Sequence, residues 1–215
     1  MFHLAVVLHW MYSRNTSRNK RFQSKSVFHP RPKGRGFLTQ KINKNMPTPI
    51  ICPFATIKLI ANHSVPGALI SPKMIVLHIT QGSSAMSCYW TIFNSVTPHR
   101  VSAHFCIDTT GQIFQFIPLN DISWHASQVN GVSISVEHAG ICGKQPCNEK
   151  QYASSAKLCA WLCQTFNISC DADHILPHSI ASPADHHDFC CQGSPAAPGL
   201  DSNQVIQAAA KLINP

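Results

Sequence analysis

Apolar positions fall in short runs separated by turn residues. Met74, Ile75, Val76 and Leu77 form a continuous apolar run behind Pro72, which predicts a buried strand over Met74–Ile79. His78 stands near its end, before Thr80, Gln81, Gly82 and two serines release the chain into a loop. Ser83 and Ser84 offer N-cap oxygens for a helix reaching about Asn94, with Trp90 and Phe93 expected to face the sheet. Val101–Asp108 and Gln112–Pro118 flank Thr109-Thr110-Gly111, a hairpin signature in which the glycine supplies a positive φ.

Val132–His138 alternates apolar and small polar residues as a strand does, and His174–His178 is a short strand. Between them, Glu149–Phe166 carries a helical apolar stripe at Tyr152, Ala156, Cys159, Leu162 and Cys163, and Asn203–Ile213 closes the chain as a helix. The order predicts one α/β domain over residues 73–215, a mixed central sheet flanked by helices. Residues 46–72 hold five prolines around the apolar segment Ala55–Ala61 and read as an arm lying on that domain.

Charge changes the picture only at the start of the chain. The formal charge of +8 is concentrated in residues 1–45, which hold ten Lys or Arg and no acidic residue. The other 170 residues hold seven basic and nine acidic side chains, so nothing predicts a basic nucleic-acid groove in the domain. Residues 1–45 read as a solvated, disordered basic extension. Phe2–Tyr12 is apolar but lacks the preceding positive residues of a secretory signal, and it is too short to span a bilayer. Nothing in the chain chooses between export and the cytoplasm, and a monomer is expected.

Ten cysteines are present without a Cys-x-x-Cys pair, which argues against a zinc ribbon or a thioredoxin-type site. Cys106, Cys159 and Cys163 read as small core residues. Cys142 and Cys147 flank a Gly-Lys-Gln-Pro loop and are placed for a bridge in an oxidising compartment.

The chemistry-bearing residues cluster at predicted strand ends. His78 and His178 each end a strand, Glu137 nearly closes another, and Asp188 follows His178 by ten residues. Neutral imidazole and carboxylate are usual zinc ligands, and three protein ligands leave a position open for catalysis. The constellation predicts a catalytic zinc site.

Five stretches carry a resemblance: IVLHITQG (75–82), VSAHFCIDTTGQIFQFIP (101–118), WHASQVN (124–130), VSISVEHAG (132–140) and HILPHS (174–179). In order and spacing they resemble the zinc-dependent N-acetylmuramoyl-L-alanine amidases of type 2, related to phage T7-type lysozyme and the peptidoglycan recognition proteins. The resemblance implies a mixed sheet with flanking helices, a zinc ion, and cleavage of the amide between the lactyl group of muramic acid and L-alanine. It implies His78 and His178 as ligands and Glu137 as the proton-transfer carboxylate.

The third ligand departs from the family pattern, which is usually Asp-Pro-Gly or Asp-Cys-Pro-Gly; here the text is HHDFCCQG over 186–193. Asp188 keeps the common interval, with His186 two residues before it in place of a basic residue that can stabilise an oxyanion. Cys191 keeps the distance to the following glycine and is also a competent ligand. Trp124, His125 and Asn130 resemble the family's substrate-side loop, while His104, within a strand pattern, reads as structural or as support for a ligand. The implied partner is peptidoglycan or a soluble muropeptide. A non-catalytic peptidoglycan-binding module on the same fold is the alternative, and a complete third ligand separates the two.

Overall fold

The computed structural model describes residues 48–60, 70–90, 101–184 and 199–215. The basic extension, Phe93, His186, Asp188 and Cys191 lie outside the described residues. So does the far end of the helix expected to reach Asn94.

Six strands form one sheet: β1 (Thr56–Ile57), β2 (Met74–Ile79), β3 (Phe105–Ile107), β4 (Ile113–Gln115), β5 (Ser133–His138) and β6 (Ile175–Pro177). Their spatial order is β1-β4-β3-β5-β2-β6. Among the described strands only the β3–β4 hairpin is antiparallel, and its turn needs Gly111 at φ 84°. The pairs β1–β4, β3–β5, β5–β2 and β2–β6 are parallel, so the carboxyl ends of β5, β2 and β6 gather at one edge of the sheet.

Strand periodicity sorts the side chains between the two faces. On one face, Ile75, Leu77, Ile134, Val136, Phe105 and Ile107 pack with Leu158, Cys159 and Leu162 of α2 (Glu149–Phe166) and Val205 and Ala209 of α4 (Ser202–Ile213). On the other, Cys106 and Phe114 pack with Phe116, Ile60, Ala85 and Cys88. The intervening positions of β2 and β5 bring Ser133, Ser135, Glu137 and His78 to that second side.

Helix α2 keeps its predicted boundaries because both ends are encoded locally. The Asn148 side chain accepts from the backbone N–H groups of Lys150 and Gln151, while Gln151 Oε1 accepts from the Asn148 N–H, a capping box. Asn167 ends the helix in the left-handed region at φ 54°. Buried Gln151 also donates to the carbonyls of Ala139 (2.8 Å) and Ile107 (3.3 Å), fastening α2 to the ends of β5 and β3.

Four expectations change. The proline-rich arm supplies β1, and Cys52 N–H donates to buried Gln115 Oε1 at 2.7 Å, so the arm is sewn into the sheet edge. Trp90 is 62% exposed rather than turned to the sheet: it lies in a π-helical turn that follows α1 (Ala85–Cys88), and Tyr89 makes the inward contact, on Phe116. His178 begins a short helix, α3 (His178–Ala181), instead of ending a strand. Cys147 is a free thiol whereas Cys142 is disulfide-bonded, so the two do not bridge each other. Cys147 N–H is drawn to the Gly199 carbonyl, while Cys142 N–H donates to Gln81 Oε1, which sends the two cysteines to different neighbours.

Candidate functional site

The parallel register decides which predicted residues meet. His78 on β2 lies opposite Glu137 on β5, and on the other side Leu77 pairs with Pro177, the residue before His178. The carboxyl ends of neighbouring parallel strands are where open α/β sheets place their ligands. His78 and His178 are both buried, with ring centroids 4.7 Å apart and planes inclined by 57°. Glu137 is half-buried beside them, with its Oε2 atom enclosed.

A third imidazole joins the pair from the loop before β5. His125 stands edge-on to His78, its ring centroid 5.2 Å away, with Nδ1 3.1 Å from His78 Nε2. Its other nitrogen, Nε2, meets Ser133 Oγ at 3.0 Å. Burial lowers the His125 pKa well below the ordinary imidazole value, and the neighbouring imidazoles of His78, His104 and His178 push it further in the same direction. His125 is therefore held as a neutral ring.

Asn130 holds that loop in place: its Oδ1 accepts from the N–H of His125 (3.1 Å) and of Ala126 (2.8 Å). Trp124 is half-exposed and tied through its backbone to Ser102. Of the three residues expected on the substrate side, Trp124 thus keeps a solvent-facing surface, while His125 and Asn130 are engaged in bonds within the protein.

His104 is wholly buried in a polar network beneath the site. Its Nε2 donates to the Asp121 carbonyl at 2.9 Å, and its Nδ1 faces Ser123 Oγ (2.9 Å), Ser135 Oγ (3.1 Å) and the Ser135 N–H (3.1 Å). These bonds give it a structural role.

Two contributors escape sequence reasoning. Ser133, a small polar residue in a strand, carries no motif of its own. His138, on the opposite face of β5, bonds the His78 carbonyl through Nδ1 and Ser155 Oγ of α2 through Nε2, each at 2.9 Å. Burial brings its pKa down to about 4, so it is a neutral brace for the backbone that carries His78.

Among the described residues, no group of three or more His, Cys, Asp or Glu side chains forms a metal-ligand set. His78 and His178 are the imidazole pair available there, and the sequence-predicted third ligand is outside those residues. A sequence profile described as N-acetylmuramoyl-L-alanine amidase (Amidase_2) matches residues 69–195, more than half of the 215-residue chain, including His78, Glu137 and His178.

The chain belongs to the N-acetylmuramoyl-L-alanine amidase family.

Two curated amidases are similar in sequence. N-acetylmuramoyl-L-alanine amidase A of Achromobacter lyticus is 28% identical over 49% of this chain and 64% of its own length. The 1,6-anhydro-N-acetylmuramyl-L-alanine amidase AmpD of Haemophilus influenzae is 30% identical over 42% of this chain and 53% of its own. The matches thus span less than two thirds of either relative.

Solved structures share the amidase fold. An AmpD structure superposes with a TM-score of 0.60 at 19% identity, over 74% of this chain and 96% of that one. An endolysin from Bacillus subtilis gives 0.55 at 21% identity, over 72% and 97%. The mixed sheet with flanking helices expected from sequence, here of six strands, is the fold these proteins share. Among the described residues no helix is long and apolar enough to cross a membrane.

Proposed function

We propose that this chain hydrolyses the amide between the lactyl group of N-acetylmuramic acid and L-alanine, in peptidoglycan or in muropeptides released from it, and that it does so with zinc. The observation that carries this reading is the carboxylate of Glu137 in register beside the His78–His178 pair. Family membership and the shared bond in the names of both curated relatives support it.

His78 and His178 suit zinc as neutral nitrogen donors, and Asp188 is proposed as the oxygen donor that completes a three-ligand set. Zinc, when bound, supplies Lewis-acid polarisation of the scissile carbonyl. Glu137 takes a proton from the attacking water as its oxygen adds to the carbonyl carbon, then delivers that proton to the amine as the C–N bond breaks. His186 is proposed to donate to the carbonyl oxygen as negative charge develops, a role worth about 3 kcal/mol when one such donor is removed from an oxyanion hole. Trp124 offers an aromatic face to the sugar or peptide, and Asn130 keeps its loop folded.

Incubation of the full chain with digested peptidoglycan, followed by end-group and mass analysis, tests the reaction. New amino-terminal alanine and a glycan bearing a free lactyl carboxylate are expected. Binding of muropeptide with no new amino terminus would overturn catalysis in favour of a recognition module. Metal analysis of the same preparation should find zinc.

A further inference from the structure

We infer that Cys163 and Cys170 form a redox-active dithiol, which takes a low-molecular-weight disulfide as co-reactant and closes into a bridge that fastens the end of α2 to the segment entering β6. The site is separate from the amidase site, and the inference does not rest on the zinc reading.

The last turn of α2 brings the two cysteines together. Asn167 is left-handed at φ 54°, and the Ile168 N–H donates to the Cys163 carbonyl at 2.9 Å, which folds the chain back over the final turn of the helix. Cys163 Sγ then lies 4.0 Å from the carbonyl oxygen of Ser169, the residue bonded to Cys170. Cys170 Sγ lies 3.8 Å from the Ile206 carbonyl of α4. Immediately afterwards, Asp171 Oδ1 accepts from the N–H groups of Asp173 (3.0 Å) and His174 (3.1 Å), the turn that leads into β6. A bridge here therefore ties α2 to the strand that ends at Pro177, one residue before His178.

The two thiols are unequal. Both are free, with Cys163 buried and Cys170 half-buried. Burial raises both pKa values, that of Cys163 to about 12, and the contact between the two thiols raises Cys163 further while lowering Cys170. Cys170 is thus the attacking thiol and Cys163 the resolving one. The Cys170 thiolate attacks one sulfur of the small disulfide, forming a mixed disulfide and expelling one small thiolate. The Cys163 thiolate then attacks the Cys170 sulfur and expels the second. Two protein thiols are oxidised as one small disulfide is reduced, and the two protons leave on the small thiols.

The test incubates the full chain with glutathione disulfide, alkylates the remaining thiols in denaturant and digests with chymotrypsin. That protease cuts after Phe166, so the two cysteines fall in separate peptides unless they are bridged. Linked peptides holding Cys163 and Cys170 are expected, with a melting temperature higher by roughly 5 °C, the scale for closing a short loop. Cys163→Ser should retain glutathione on Cys170, because the resolving thiol is gone. Cys170→Ser should leave buried Cys163 as an unmodified thiol.

The dithiol is overturned if both cysteines of the parent chain are still alkylated after this treatment. Glutathione on Cys163 in Cys170→Ser, with none on Cys170 in Cys163→Ser, overturns the assigned order of attack. A bridged chain that melts no higher than the reduced one overturns the fastening. All of these readouts are independent of zinc content and amidase turnover, and the parent chain alone decides whether the bridge forms should a variant fail to fold.

Discussion

His78 and Glu137 stand directly opposite one another in the parallel register of β2 and β5. Opposed residues of adjacent strands point to the same face, so the imidazole and the carboxylate reach one site from two rigid strands. A one-residue slip would send one of them to the opposite face, among the apolar side chains under α2. Register is therefore the structural condition for the proposed chemistry.

Glu137→Gln should separate chemistry from metal binding. The amide keeps the shape but cannot accept the proton, so turnover should fall about a hundredfold or more, while zinc content and thermal stability stay near those of the parent. Full activity in this variant would move the proton-transfer role elsewhere.

His178→Ala should do the opposite and remove zinc and activity together. The imidazole lies against His78 at a centroid distance of 4.7 Å, and its loss leaves too few donors for a tightly held ion. Zinc affinity should drop by more than the about 10–100-fold that an outer-shell change costs. A variant that still carried one tightly bound zinc per chain would exclude His178 as a ligand.

Asp188→Ala and Cys191→Ser decide the third ligand. Asp188 follows His178 by ten residues and has His186 beside it, so Asp188→Ala should weaken zinc strongly and Cys191→Ser little. Zinc absorption spectroscopy gives an independent reading, since a carboxylate oxygen lies at about 2.0–2.2 Å and a thiolate at about 2.3 Å. The reverse ranking, with a sulfur at the longer distance, would transfer the role to Cys191.

Stability should fall on mild acidification because of His138. Its folded pKa is about 4 against 6.5 for the unperturbed group, and burial is the main cause. Between those values the unfolded chain binds the proton and the folded chain does not. The contribution is thus intact above pH 6.5 and declines as pH drops towards 4, by up to about 3 kcal/mol. Denaturant unfolding of the metal-free protein at several pH values measures it. His138→Gln, which does not titrate, should flatten the slope over this window; an unchanged slope would assign the acid sensitivity to other groups.

A chain beginning at Met46 should fold and keep the activity of the full chain, whereas one beginning at Lys73 should be markedly less stable. The second truncation removes β1, buried Cys52, and the edge-to-face contact of Phe54 with Trp161 of α2. Circular dichroism melts of the two truncated chains check this. Equal melting temperatures would show that the arm adds nothing to the sheet.

What the sequence determines by itself is whatever a few consecutive residues encode. The cap at Asn148 and the stripe behind it delimit Glu149–Phe166, Gly111 marks the hairpin turn, and the apolar run before His78 delimits β2. The family, and with it His78, Glu137 and His178 as candidates, is legible for the same reason: each sits in a short motif at an element's end. Tertiary structure alone decides relationships between distant segments. Thr56–Ile57 becomes a strand only because β4 offers a free edge to hydrogen-bond, and two exposed residues carry no pattern that says so. Trp90 turns to solvent while its neighbour Tyr89 takes the inward contact on Phe116, because the winding of the chain after α1 sets which side chain faces the sheet. Ser133 looks like any small strand residue until Val129 and His125 converge on it, because the direction of a hydroxyl proton is set by the partners that surround it in space.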